Sequence, residues 1–128
     1  MAKPLEAVID VRNPNESILV VESDPVMLGK FTEVLRSQGY NVLGFIEPET
    51  AQQYLDIGYE LALAVVDLNF EEGRGEDLAA HIAKTKPQMP VIGTSELSAP
   101  LDYKGGYKKV LFKPVKDSTL TDAISLCL

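Results

Sequence analysis

Apolar residues along this chain fall into five short runs, separated by stretches in which they recur with helical spacing. The first run, Ile18 to Glu22, is continuous rather than alternating, which suits a strand buried on both faces. Asp24-Pro25 then opens a helix, with Asp24 as N-cap and Pro25 at the first helical position. Leu28, Phe31, Val34 and Leu35 keep the helical spacing, and Gly39 supplies the stop. Asn41 to Ile46 reads as the second strand. Pro48 opens a second helix that carries Ala51, Tyr54 and Leu55 on one face and ends at Gly58. Leu61 to Leu68 is the third and most apolar strand. A loop, Asn69 to Gly75, leads into a helix carrying Leu78, Ala79, Ile82 and Ala83, which Pro87 stops. Met89 to Thr94 and Lys109 to Phe112 are the fourth and fifth strands. A last helix from about Asp117 buries Leu120, Ala123, Ile124 and Cys127.

Strict alternation of strands and helices predicts an α/β domain, a parallel five-stranded sheet with helices on both faces. One crossover departs from the pattern. Between Ser95 and Lys113 the chain contains Pro100, Gly105 and Gly106, so Ser98 to Lys104 leaves room only for a short or irregular fourth helix. Residues 1–16 stand apart. Ala7-Val8-Ile9-Asp10-Val11 has strand character, but Asn13-Pro14-Asn15 punctuates it, and the segment reads as an N-terminal tail or linker ahead of a domain at 17–128.

Composition narrows the function classes. With 128 residues, 45% of them hydrophobic, the chain fits one domain with a sizeable core. Its net charge of −7 speaks against a nucleic-acid partner held through the phosphate backbone. Tyr103 and Tyr107 interleave with lysines, yet two aromatics make no stacking platform. Lys104, Lys108, Lys109, Lys113 and Lys116 do form a stretch free of acids, either a solvated strand edge or a docking face for an acidic partner. The single cysteine, Cys127, rules out an intrachain disulfide and a cysteine metal site. No apolar stretch approaches the roughly 20 residues of a membrane span. Lys3 and Pro4 are followed by no signal-like apolar core. A cytoplasmic protein without membrane contact is the expectation. His81, between Ala80 and Ile82, reads as a surface histidine.

The ends of the apolar runs carry the chemistry. Asp67 closes Ala64-Val65-Val66, and a carboxylate at the end of a buried strand must be solvated, paired or chemically used. Glu22 follows Val20-Val21, Ser95 follows Val91 to Thr94, and Lys113 follows Val110-Leu111-Phe112. In an open parallel sheet these positions converge at the carboxyl ends of the strands, where such folds bind ligands. A carboxylate there can attack phosphorus and form an acyl phosphate. Lys113 can compensate charge on the transferring group, Ser95 can donate to a phosphoryl oxygen, and Glu22 can help hold Mg²⁺.

Ile18-Leu19-Val20-Val21-Glu22-Ser23-Asp24-Pro25, then Val66-Asp67-Leu68, Gly75, Pro90-Val91-Ile92 to Ser95, and Lys113-Pro114, in that order, resemble a bacterial response-regulator receiver domain over about residues 17–127. The resemblance implies a flavodoxin-like (βα)5 fold and Asp67 as acceptor of a phosphoryl group from a sensor histidine kinase or phosphotransfer protein. It implies Ser95 and Lys113 as the groups acting on that phosphoryl, and Mg²⁺ held by Glu22, Asp67 and the backbone carbonyl of Asn69. A downstream protein partner or output domain would read the switched surface. Several positions depart from the family pattern. Ser23 stands where a second acid is usual and should weaken metal binding, with Glu71 or Glu72 as possible substitutes. Glu96 places a charge beside the hydroxyl position, and Val110 stands at the aromatic switch position. These departures motivate an alternative function, a pseudo-receiver that binds partners without phosphorylation.

Overall fold

The computed structural model describes residues 17–96 and 106–128. Strands β1 (Ser17–Val21), β2 (Asn41–Phe45), β3 (Leu63–Asp67), β4 (Val91–Glu96) and β5 (Tyr107–Lys113) form one sheet in the order β2-β1-β3-β4-β5. Every neighbouring pair is parallel. This order is that of a flavodoxin-like doubly wound sheet, whose topological switch point lies between β1 and β3.

Successive residues of the central strands feed opposite faces, as the pleat requires. Ile18, Val20, Leu63, Val65, Ile92 and Leu111 pack against helices α1 (Pro25–Ser37) and α4 (Asp117–Cys127) through Phe31, Leu35, Leu120, Ala123 and Ile124. Leu19, Val21, Ala64, Val66 and Val91 pack on the other face against α2 (Pro48–Asp56) and α3 (Arg74–Thr85) through Ala51, Leu55, Leu78, Ala79 and Ile82. The continuous apolar runs thus reflect burial on both sides. Truncating a buried residue such as Ile92 or Leu55 to alanine removes about 2–5 kcal/mol.

The helix ends follow the local chemistry. The Asp24 carboxylate accepts from the Val26 amide at 2.9 Å and caps α1, with Pro25 at the first helical position. Past its end, Gly39 adopts φ +95°, a conformation that suits glycine. A 3₁₀ turn over Glu71–Gly73 precedes α3, which therefore starts one residue before Gly75. Strand limits also move from those expected. The third strand is shorter than Leu61–Leu68, because Leu61 and Ala62 precede the parallel ladder. The fifth extends back to Tyr107, where Lys108 and Lys109 turn to solvent on the edge strand. Tyr54 was expected inside with Ala51 and Leu55. It lies instead at the surface between Phe45 and Tyr59, its ring centroid 5.0 and 5.4 Å from theirs. His81 bonds Asp56 at 2.9 Å, tying α3 to α2 at the surface. The expected N-terminal tail and the short helix between β4 and β5 lie outside the described residues. Among the described residues no helix is long and apolar enough to cross a membrane.

Candidate functional site

Parallel register brings the strand ends level. Val21 stands beside Val66, Asp67 beside Thr94, and Glu96 beside Lys113. Glu22, Asp67 and Ser95 are almost fully withdrawn from solvent, at 1%, 0% and 0% exposure. A cavity of about 540 Å³ lined by Tyr59, Leu61, Lys86 and Met89 lies at the opposite, amino-terminal edge of the sheet and includes none of the expected site residues. The acid site is a packed cluster of side chains.

Asp67 is its centre. Oδ1 accepts from the Lys113 ammonium at 3.0 Å and from the Asn69 amide at 2.9 Å. Oδ2 accepts from the Ser23 hydroxyl at 2.7 Å and the Ser23 amide at 3.3 Å. Burial pushes the Asp67 carboxyl up, but the Asn69 amide, the Ser23 hydroxyl and Lys113 outweigh it and hold the group below its usual range. Asp67 is therefore an ionised carboxylate with both oxygens engaged.

Glu22 behaves in the opposite sense. Burial pushes it up to about 7 against the pull of the Asp24 amide, and the neighbouring Asp67 charge adds to the rise. Its Oε2 accepts from the Asp24 amide at 3.1 Å, whereas Oε1 is buried without a hydrogen-bond partner, 3.6 Å from the Lys113 nitrogen. Two carboxylates thus face one ammonium, and burial shifts one of them, Glu22, toward its protonated form near neutral pH.

Ser95 does not touch Asp67. Its hydroxyl accepts from the Asn69 side-chain amide at 3.1 Å and donates to the Glu96 carbonyl at 3.2 Å. Asn69 Oδ1 in turn accepts from the Glu96 amide at 2.7 Å. The expected catalytic trio is therefore joined in two ways: Asp67 to Lys113 directly, and Asp67 to Ser95 through Asn69. The Glu96 side chain is exposed.

The loop after β3 is pressed onto the site. A Cβ at Gly75 would collide with the Asp67 carbonyl oxygen, so α3 can start against β3 only with glycine there. Arg74 bonds Glu47 at 3.0 Å and Glu49 at 2.8 Å and lies 5.3 Å from the Phe70 ring centre, linking this loop to the start of α2.

A family model described as response regulator receiver domain matches residues 18–125. The chain belongs to the response-regulator receiver family. Among curated proteins, the receiver is 28% identical over 112 residues to the phosphoglycerate transport system transcriptional regulatory protein PgtA of Salmonella typhimurium, a match spanning 84% of this chain and 27% of PgtA. Among solved structures it resembles a CheY-like receiver domain protein of Methanospirillum hungatei, with TM-score 0.79 and 22% identity over 87% of this chain and 91% of that one. The response regulator TrrA of Thermotoga maritima, solved in complex with Mg²⁺-BeF, gives TM-score 0.76 and 21% identity over 88% and 99% of the two chains.

A magnesium ion, implied by the receiver family, would meet a thin set of hard oxygens here. The orphaned Glu22 Oε1 is a buried carboxylate oxygen with capacity to spare, and Asp67 with the Asn69 carbonyl could complete the protein ligands. Glu71 and Glu72 do not fill the gap left at Ser23. Among the described residues no group of three or more acidic, histidine or cysteine side chains gathers to hold a metal. Asp24 is committed to the cap of α1.

Two receiver residues had more to do than the sequence indicated. Ser23 was expected only as a missing ligand, yet it is a donor to Asp67. Asn69 was expected to act through its carbonyl, yet its side chain binds β4. Their adjacency to the acids was visible; the direction of their hydrogen bonds was not.

Proposed function

We propose that this receiver accepts a phosphoryl group on Asp67 from the phosphohistidine of a sensor histidine kinase or phosphotransfer protein, and that the modified site switches a surface read by a downstream partner or output domain. The observation that carries this reading is the 3.0 Å contact between the Lys113 ammonium and Asp67 Oδ1 at the mouth of the sheet. In the transfer, a carboxylate oxygen of Asp67 forms the new P–O bond as the P–N bond to the donor imidazole breaks, and the released imidazole takes up a proton. Asp67 is already ionised, so no base is needed. Lys113 is a fixed cation that compensates charge on the phosphoryl oxygens. Ser95 is one side-chain amide away and becomes a donor to the phosphoryl group once Asn69 and the Glu96 carbonyl release it. Mg²⁺, held by Glu22, Asp67 and the Asn69 carbonyl, would supply further charge neutralisation. Equilibrium between the modified and unmodified arrangements would then set partner affinity.

The curated relative described as a transcriptional regulator supports a role inside a longer regulator, of which this chain spans about a quarter of the length. Pairing with a histidine kinase and the single cysteine favour a cytoplasmic setting. The test is incubation with Mg²⁺ and a small acyl-phosphate donor followed by intact mass. A gain of one phosphoryl group that disappears in Asp67→Asn is expected. No gain, or a gain that persists in that variant, contradicts the reading.

A second reading, a phosphorylation-independent interaction module, is favoured by one feature: Asp67 and Ser95 have no exposed surface and their polar atoms are bonded within the chain. That module would bind its partner equally well before and after treatment with the phosphodonor.

A further inference from the structure

We propose that Ser23 is a latch on Asp67: its hydroxyl occupies the carboxylate oxygen Oδ2 and competes with a divalent cation for the site, so that Ser23 restrains metal binding actively rather than by merely lacking a charge. The inference deepens the phosphoacceptor reading and rests on it only for its consequence, not for its test.

Four observations support the latch. The Ser23 hydroxyl donates to Oδ2 at 2.7 Å, the shortest of the bonds to Asp67, and the Ser23 amide reinforces it at 3.3 Å. A hydroxyl donating to an ionised carboxylate is a strong, charge-assisted bond. The other oxygen, Oδ1, is already bonded by Lys113 and Asn69, so Oδ2 is the side of the carboxylate held without a cation. Asp67 is wholly buried although Ser23 itself is exposed, so the accepting oxygen is shielded from water and the hydroxyl stands at the solvent side of the bond. Finally, Glu22 Oε1 has no hydrogen-bond partner, while its neighbour Ser23 spends its proton on Asp67. The cluster satisfies the carboxylate nearest the chemistry and leaves the other short of partners.

The sign of one substitution separates a latch from a bystander. A hydroxyl acting as a neutral metal ligand, or doing nothing, predicts that Ser23→Ala binds Mg²⁺ more weakly than wild type or equally well. A latch predicts the reverse, because alanine frees Oδ2 without adding charge. Ser23→Asp tightens binding in either case and serves as the positive control.

The measurement is calorimetric titration of Mg²⁺ into wild type, Ser23→Ala, Ser23→Thr and Ser23→Asp, with melting temperatures in chelator. Ser23→Ala is expected to bind about fivefold more tightly than wild type, a net hydrogen bond's ~1 kcal/mol, and to melt lower in chelator. Ser23→Thr, which keeps the hydroxyl, stays close to wild type. Equal or weaker binding by Ser23→Ala, or no detectable binding, overturns the latch. Should Ser23→Ala fail to fold, Ser23→Cys replaces it, a poorer donor of similar size. Tighter binding than wild type then supports the latch, and equal or weaker binding overturns it. No phosphodonor is present, so an Asp67 that never accepts a phosphoryl group leaves these outcomes unchanged.

Discussion

The two oxygens of Asp67 face differently built halves of one site. On the β5 side Oδ1 meets Lys113 and the Asn69 amide, a charge pair and a backbone donor of the kind phosphoryl chemistry uses. On the β1 side Oδ2 meets the hydroxyl and amide of Ser23, beside a glutamate that burial drives toward neutrality. The first half favours reaction and the second favours rest. One carboxylate can be poised and restrained together, because each oxygen answers to a different strand.

The largest effect should come from breaking the charged half. Lys113→Met leaves Asp67 and Glu22 buried without their cation, and removing one partner from a buried pair costs about 3–5 kcal/mol. Urea unfolding at neutral pH measures it. A loss below about 1 kcal/mol would mean that Lys113 behaves as a surface charge.

Next in size is the response to pH, where the halves have opposite signs. Glu22 has its folded value raised from 4.5 to about 7, so the stability linked to it is full below 4.5 and is lost as pH rises through about 7. Asp67 is lowered from 3.8, so its contribution is present above that value and is lost on acidification below it. Unfolding free energies measured across pH should show a decline between 4.5 and 7 that Glu22→Gln abolishes. A decline unchanged in that variant would place its source elsewhere.

A smaller effect is expected at the bridge between the halves and β4. Asn69→Ala removes two hydrogen bonds, to Ser95 and to the Glu96 amide, for about 1–2 kcal/mol. Hydrogen exchange at the Glu96 amide should rise with it, and unchanged protection would show that another group holds that amide.

The same contrast explains what could be read in the sequence. β3 was plain because Leu63 to Val66 are buried on both faces, leaving no polar residue to blur the run before Asp67. β5 was less so. On the sheet edge Lys108 and Lys109 turn outward, and the apolar run understates the strand. Glu22, Asp67, Ser95 and Lys113 were legible because each ends an apolar run, and a parallel sheet puts such ends together. Ser23 and Asn69 were named without their roles. Whether a hydroxyl accepts a metal or donates to a carboxylate depends on which oxygen lies 2.7 Å away, and that distance is set by the pairing of β1 with β3 across 44 residues of chain.

The most direct measurement of the central claim is the rate of phosphoryl incorporation into Asp67 from a small acyl-phosphate donor, compared between wild type and Ser23→Ala at the same Mg²⁺ concentration. The account predicts that both gain one phosphoryl group and that the variant gains it faster. Incorporation by neither protein would contradict a phosphoacceptor, and a slower variant would contradict the division of the site into a reactive and a restraining half.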